Sequence, residues 1–146
     1  MILPLFSYAK ITSMNINKEL VKLFYEEVYK NGNIELIDEL ISPDFVSHNW
    51  PKGLKGPEGF KMHYAKFREA IPNAEYIVKE FIAEGERVMI RWEVIGIYQK
   101  RISGINIQYI GQKISLKGVS IYYVENDFFV QRRIFFDFQN YKNENI

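Results

Sequence analysis

PNAEYIVKEFIAEGERVMIRWEVIGIY, residues 72–98, is where the periodicity of the chain changes. Before Pro72, apolar residues recur every three or four positions. After it they recur every second position. Over Arg87–Tyr98, Val88, Ile90, Trp92 and Val94 share one face, and Arg87, Met89, Arg91 and Glu93 share the other. That alternation belongs to a half-buried strand. Glu75–Ala83 reads as the strand before it, and Glu84-Gly85 as the turn between them.

Upstream, three segments carry the helical period. Lys18–Lys30 places Leu20, Val21, Phe24, Tyr25 and Val28 on one stripe, with Asn17 as its N-cap and Asn31-Gly32 as its end. Asn33 is expected to cap a short helix over Ile34–Ile41, which Ser42-Pro43 stops. Asp44–Lys55 reads as a connection. Gly56-Pro57-Glu58 opens a third helix, in which Phe60, His63, Tyr64, Phe67 and Ile71 form the apolar stripe. Downstream, residues 99–112 form a connection punctuated by glycine. Lys113–Val124 and Phe128–Phe138 are two further strands joined across Glu125-Asn126-Asp127.

Helices first and hairpin-linked strands after make an α+β fold with a mainly antiparallel sheet. Three N-terminal helices on one face of a curved sheet leave a cone-shaped cavity between the layers. The expected division is an N-terminal extension over residues 1–14, one domain over 15–142 and a frayed tail over 143–146.

Composition bounds the function. A chain of 146 residues holds one core. A net charge of +1 argues against nucleic-acid binding, which needs phosphate neutralisation. There is no cysteine, so disulfides, thiolate nucleophiles and cysteine metal sites are excluded. With only His48 and His63 available, no metal is expected. No apolar run reaches membrane-spanning length, and Met1–Ala9 lacks a basic leader, so a cytoplasmic protein off the membrane is expected. No dinucleotide, phosphate-loop or serine-hydrolase motif occurs, so no cofactor is expected. With 11 Phe, 10 Tyr and 2 Trp, either the core is aromatic or rings line the cavity.

The words NKELVKLFYEEVYKNGNIELIDELISPDFVSHN (residues 17–49), GPEGFKMHYAKFREAIPNAEYIVKEFIAEGERVMIRWEVIG (56–96) and GVSIYYVENDFFVQRRIFFD (118–137) together resemble the SnoaL-like polyketide cyclases, also called ester cyclases. The resemblance implies the nuclear-transport-factor-2-like cone, which ketosteroid isomerase shares. It implies cofactor-free acid–base chemistry on an activated carbonyl compound, with an aldol-type ring closure. The family's acid/base aspartate corresponds to Asp137, its histidine after FV to His48, and its first-helix cavity tyrosine to Tyr25. The chain departs from the family where Arg133 replaces a tryptophan, where Asn106–Ile110 adds residues, and in the segment Gln139–Asn143.

The candidate catalytic residues are therefore Asp137 and His48. Strict alternation puts Asp137 on one face with Phe129, Gln131, Arg133 and Phe135. A carboxyl held among rings is a base of raised pKa, whereas one at the sheet rim is only a solvated or paired charge. Tyr25, Trp50, His63, Tyr64, Trp92, Tyr123 and Arg133 are the candidate substrate contacts. Tyr122 and Tyr123 point to opposite faces, so at most one of them looks inward; Arg132 and Arg133 likewise point both ways, and one of them is expected to be a solvated or inter-subunit charge. The expected ligand is a small apolar or aromatic carbonyl compound. The same cavity would serve a non-catalytic binding protein. The sheet face of Ile95 and Ile97, or of Ile134 and Phe136, would serve pairing into a homodimer.

Overall fold

In the computed structural model residues 16–140 are described, with side chains as far as Phe138. The expected extension 1–14, both ends of the expected domain and the tail lie outside them. Helix α1 (residues 16–30) is α-helical to residue 24 and π-helical over Tyr25–Lys30. Helix α2 is Glu35–Leu40 and helix α3 is Gly56–Ala70. The strands are β1 (Ile41–Ser47), β2 (Glu75–Glu84), β3 (Arg87–Ile97), β4 (Lys113–Glu125) and β5 (Phe128–Asn140). No helix among the described residues is long and apolar enough to cross a membrane.

The sheet order is β1-β5-β4-β3-β2. Neighbours are antiparallel except β1 and β5, which run parallel. β1 was not expected: Ile41 was read as the end of the second helix, Ser42-Pro43 as its stop, and Asp44–Ser47 as the start of a connection. An edge strand tolerates proline, since its outward N–H needs no ladder partner. The mainly antiparallel expectation therefore holds for three of the four pairings and fails at this edge.

The helices cover one face of the sheet through rings. Phe24 of α1 meets Phe60 of α3 edge-on at 5.2 Å and Phe129 of β5 at 5.2 Å. All three are fully buried, each a favourable burial of about 1.5–3 kcal/mol. The covered face of β3 is Val88, Ile90, Trp92 and Val94, as its alternation requires. The two expected caps differ in detail. Asn17 lies within the described part of α1 and donates to the Gly85 carbonyl in the β2–β3 turn, at 3.3 Å. α2 is preceded by Ile34 with no side-chain cap, so Asn33 does not cap it.

A bulge in β5 controls what faces the helices. Tyr123 pairs with Gln131, but Val124 pairs with Phe129, which leaves Val130 as the extra residue. One added residue turns every later side chain to the opposite face. Arg132 therefore joins Phe129 inside, and Arg133, Phe135 and Asp137 are exposed. Ile134 and Phe136 also turn inward, where they line a pocket, so they form no outer pairing face.

Candidate functional site

Between helices and sheet lies a chamber of about 60 Å³ of water-accessible space, walled by Tyr25, Tyr29, His63, Tyr76, Trp92, Ser120 and Arg132 among others. It exceeds what one water needs. His63, Phe67, Trp92 and Ile134 line both this chamber and a wider mouth of about 930 Å³. Trp50 and the loop from Lys100 to Ile105 form the far side of the mouth.

Arg132 is the polar centre. Its side chain is 1% exposed. Nε donates to Ser47 Oγ at 3.1 Å, and that hydroxyl donates on to Asn49 Oδ1. Nη1 donates to Tyr29 Oη at 3.4 Å. The guanidinium lies 5.3 Å from the centre of the Phe60 ring and 5.9 Å from that of Trp50. Nη2 has no hydrogen-bond partner, and no carboxylate among the described residues forms an ion pair with the group. Burial opposes its charge. The oxygens of Tyr122, Tyr29 and Tyr25 favour that charge more strongly and hold its pKa above the ordinary value.

Tyr25 and Tyr29 stand four apart on the π-helical turn, with rings stacked at 4.8 Å and 24°. Tyr25 Oη lies 3.4 Å from Tyr122 Oη. Burial pushes all three phenol pKa values above their usual range, so they remain neutral donors. The Tyr76 hydroxyl, on the same wall and near Arg68, lacks a hydrogen-bond partner. Trp92 Nε1 donates to Ser120 Oγ at 2.9 Å, which fixes the floor.

His63 stands where chamber and mouth meet. Burial, and then the charges of Arg132 and Lys66, push its imidazole down to about 3. The unfolded chain takes up this proton below about pH 6.5 and the folded chain does not, so His63 costs stability as pH falls through that value. Between pH 7.5 and 5.5 wild type is expected to lose about 1.4 kcal/mol through this group. His63→Phe is expected to remove that loss, measured by urea unfolding at the two pH values. Equal pH slopes in the two proteins would show an imidazole that titrates freely.

The sequence-derived candidates divide. Tyr25, His63, Tyr64 and Trp92 line the chamber, and Trp50 lines the mouth. Asp137, His48, Arg133 and Tyr123 do not. Asp137 is exposed and faces Lys117 across the β4–β5 ladder, the paired-charge position rather than the dry one. His48 is exposed, its Nδ1 accepts from the Ile134 N–H at 3.2 Å, and its ring lies 5.0 Å from Phe135. There it closes the β1–β5 edge. Tyr122 is fully buried and replaces Tyr123, and Arg132 replaces Arg133.

A family model of SnoaL-like polyketide cyclases matches residues 19–144. The chain belongs to that family. Solved structures repeat the architecture. TsrD from Streptomyces laurentii matches with a TM-score of 0.71 at 20% identity, over 84% of this chain and 89% of that one. A SnoaL-like polyketide cyclase from Agrobacterium tumefaciens strain C58 matches with a TM-score of 0.73 at 9% identity, over 89% of this chain and 98% of that one. At such identities the likeness carries the fold alone. No curated protein matches the chain in sequence. In this SnoaL-like chain the aspartate carried over by resemblance stands outside the cone. Glu93 is the acidic residue at the chamber wall, and its carboxylate is engaged by the Ser115 hydroxyl at 3.1 Å and Lys79 at 3.6 Å. The polar groups left to the chamber are a guanidinium, a neutral imidazole and phenols.

Proposed function

We propose that this chain carries out cofactor-free acid–base chemistry on a carbonyl compound of largely apolar character, of the ring-closing kind its family is named for. The observation supporting this reading most strongly is the placement of His63, half-buried at the boundary between a ring-walled chamber and an open mouth and on one wall with the phenols of Tyr25 and Tyr29. The body of the ligand occupies the mouth and its reacting end the chamber. His63 takes the proton alpha to the carbonyl. The tyrosine hydroxyls donate to the enolate oxygen as charge develops there. The enolate carbon attacks a second carbonyl of the same molecule and forms the carbon–carbon bond. The proton held on His63 then passes to the new alkoxide. The walls supply proximity by holding the two ends together.

Exchange of alpha protons tests the first step without the natural substrate. With 2-tetralone in D2O, followed by NMR, wild type is expected to exceed the buffer rate. His63→Phe is expected to return it to the buffer rate, a loss of about 100-fold or more in the enzyme-dependent part. Asp137→Asn is expected to change it less than twofold. No acceleration by folded wild type, or retention by His63→Phe, would overturn the reading. A large loss in Asp137→Asn would restore the family aspartate to the reaction.

The engagement of the chamber-wall carboxylate, Glu93, by Ser115 and Lys79 favours a second reading, a binding protein that leaves its ligand unchanged. Native mass spectrometry separates the two: the same ligand mass after prolonged incubation supports binding, and a changed mass supports turnover.

A further inference from the structure

We propose that the chamber is an anion site, and that its ligand presents a carboxylate to the free Nη2 of Arg132. The substrate class of the reaction above would then be oxo acids, with the reacting carbonyl and an acid group on one small apolar frame. The inference rests on the chamber being the ligand site and not on any reaction occurring there.

The argument begins with an unbalanced charge. A guanidinium withdrawn from water costs several kcal/mol unless an anion and a full set of acceptors compensate it. Arg132 is 1% exposed, yet the acceptors around it are the hydroxyls of Ser47, Tyr29 and Tyr122, all neutral. Its remaining faces are covered by the Phe60 and Trp50 rings. Nη2 is the donor left over, and Arg132 lines the chamber. In a native interior such an orphan donor calls for an explanation. A carboxylate supplies both missing items, a negative charge and a strong acceptor.

The rest of the chamber suits the same group, since the carboxylate on its wall, Glu93, is already held by Lys79 and Ser115. The buried phenols are kept protonated, so they donate to an anion rather than repel it. The mouth carries Lys52, Lys66 and Arg101, and its Glu69 is bound to Lys100 at 2.8 Å, so the approach favours negative charge. A charge-assisted contact to guanidinium is about twice as strong as a neutral one, and burial sharpens it.

An anion on Arg132 has a second effect. Part of what holds His63 neutral is the unscreened charge of Arg132. A bound carboxylate cancels that charge, and the imidazole regains basicity when the substrate is present. The acid group would thus prepare the base.

The probe is benzoate against methyl benzoate, its neutral analogue, with binding read by calorimetry and His63 by NMR titration. Wild type is expected to prefer benzoate by roughly 10- to 100-fold. Arg132→Met is expected to erase the preference, and Arg132→Lys to keep part of it. Benzoate is expected to raise the His63 pKa, and methyl benzoate to leave it in place. Equal binding of the two probes, or binding of neither at millimolar concentration, would overturn the anion site. Equal binding together with 2-tetralone exchange would leave the proposed reaction standing, so the two failures are distinguishable. If Arg132→Met fails to fold, the Arg132→Lys preference and the His63 shift in wild type decide the matter.

Discussion

Arg132→Met is expected to raise the melting temperature of the ligand-free protein by roughly 3–6 °C, while removing its preference for anions. The side chain is 1% exposed and pairs with no carboxylate among the described residues. Methionine is long and flexible enough to follow the same path between Phe60 and Trp50. Replacing a buried charge by an apolar group of similar size is often stabilising by about 1–4 kcal/mol. The losses here are small. Ser47 keeps its bond to Asn49, and Tyr29 gives up one long contact. A net gain of about 1–2 kcal/mol corresponds to the stated shift for a domain of this size. Calorimetric scans of both proteins without ligand check it. A fall of several degrees would mean that the guanidinium holds β5 to β1 and the rings more strongly than its desolvation costs. Arg132 would then be a structural residue. A rise would mark stability given up for function, as at other binding sites.

How far the sequence discloses this molecule depends on which signals are local. Val88, Ile90, Trp92 and Val94 alternate without interruption, so β3 and its buried face follow from the residues alone. Phe60 and Tyr64 recur at helical spacing and are buried as that spacing requires. β1 left no such trace. Its pairing partner is β5, 85 to 88 residues away, and Pro43 masks its extended run. The bulge at Val130 is likewise silent in the sequence, yet it decides the site. Without it, alternation sends Asp137 and Arg133 inward. With it, Arg132 enters and Asp137 meets Lys117 at the surface. Tyr29 could have been found, since it stands one helical turn after Tyr25 and the two rings stack. Ser120 could have been found as well, because it sits on the same face of β4 as Tyr122. The order of the family words was informative about the fold because every element they name is present. It was less informative about the site because a role transferred by position assumes an unchanged strand register.

Gly118→Ala is expected to be among the most damaging single-methyl additions in the protein, lowering the melting temperature by roughly 5–15 °C, or about 2–4 kcal/mol. A Cβ built on Gly118 would lie 2.5 Å from Trp92 Cζ2, 2.6 Å from the Phe135 carbonyl oxygen and 2.8 Å from Phe136 Cβ. Two of these neighbours belong to β5, which is hydrogen-bonded to β4 at this level, where Gly118 pairs with Phe136. β5 cannot retreat without opening the ladder that carries Arg132. The third neighbour is the indole that donates to Ser120 and forms the chamber floor. Both responses therefore damage the site, one by parting strands and the other by swinging the floor aside. Two further variants separate them. Ser120→Ala removes only the acceptor for the indole N–H and is expected to cost about 1 kcal/mol. Trp92→Leu in the Gly118→Ala background relieves the ring contact but leaves the carbonyl contact, so it is expected to recover only part of the loss. Full recovery would locate the strain in the indole alone. A melting temperature for Gly118→Ala within 2 °C of wild type would show that β4 and β5 can part locally at no cost, and the chamber floor would then be a movable surface rather than a fixed one.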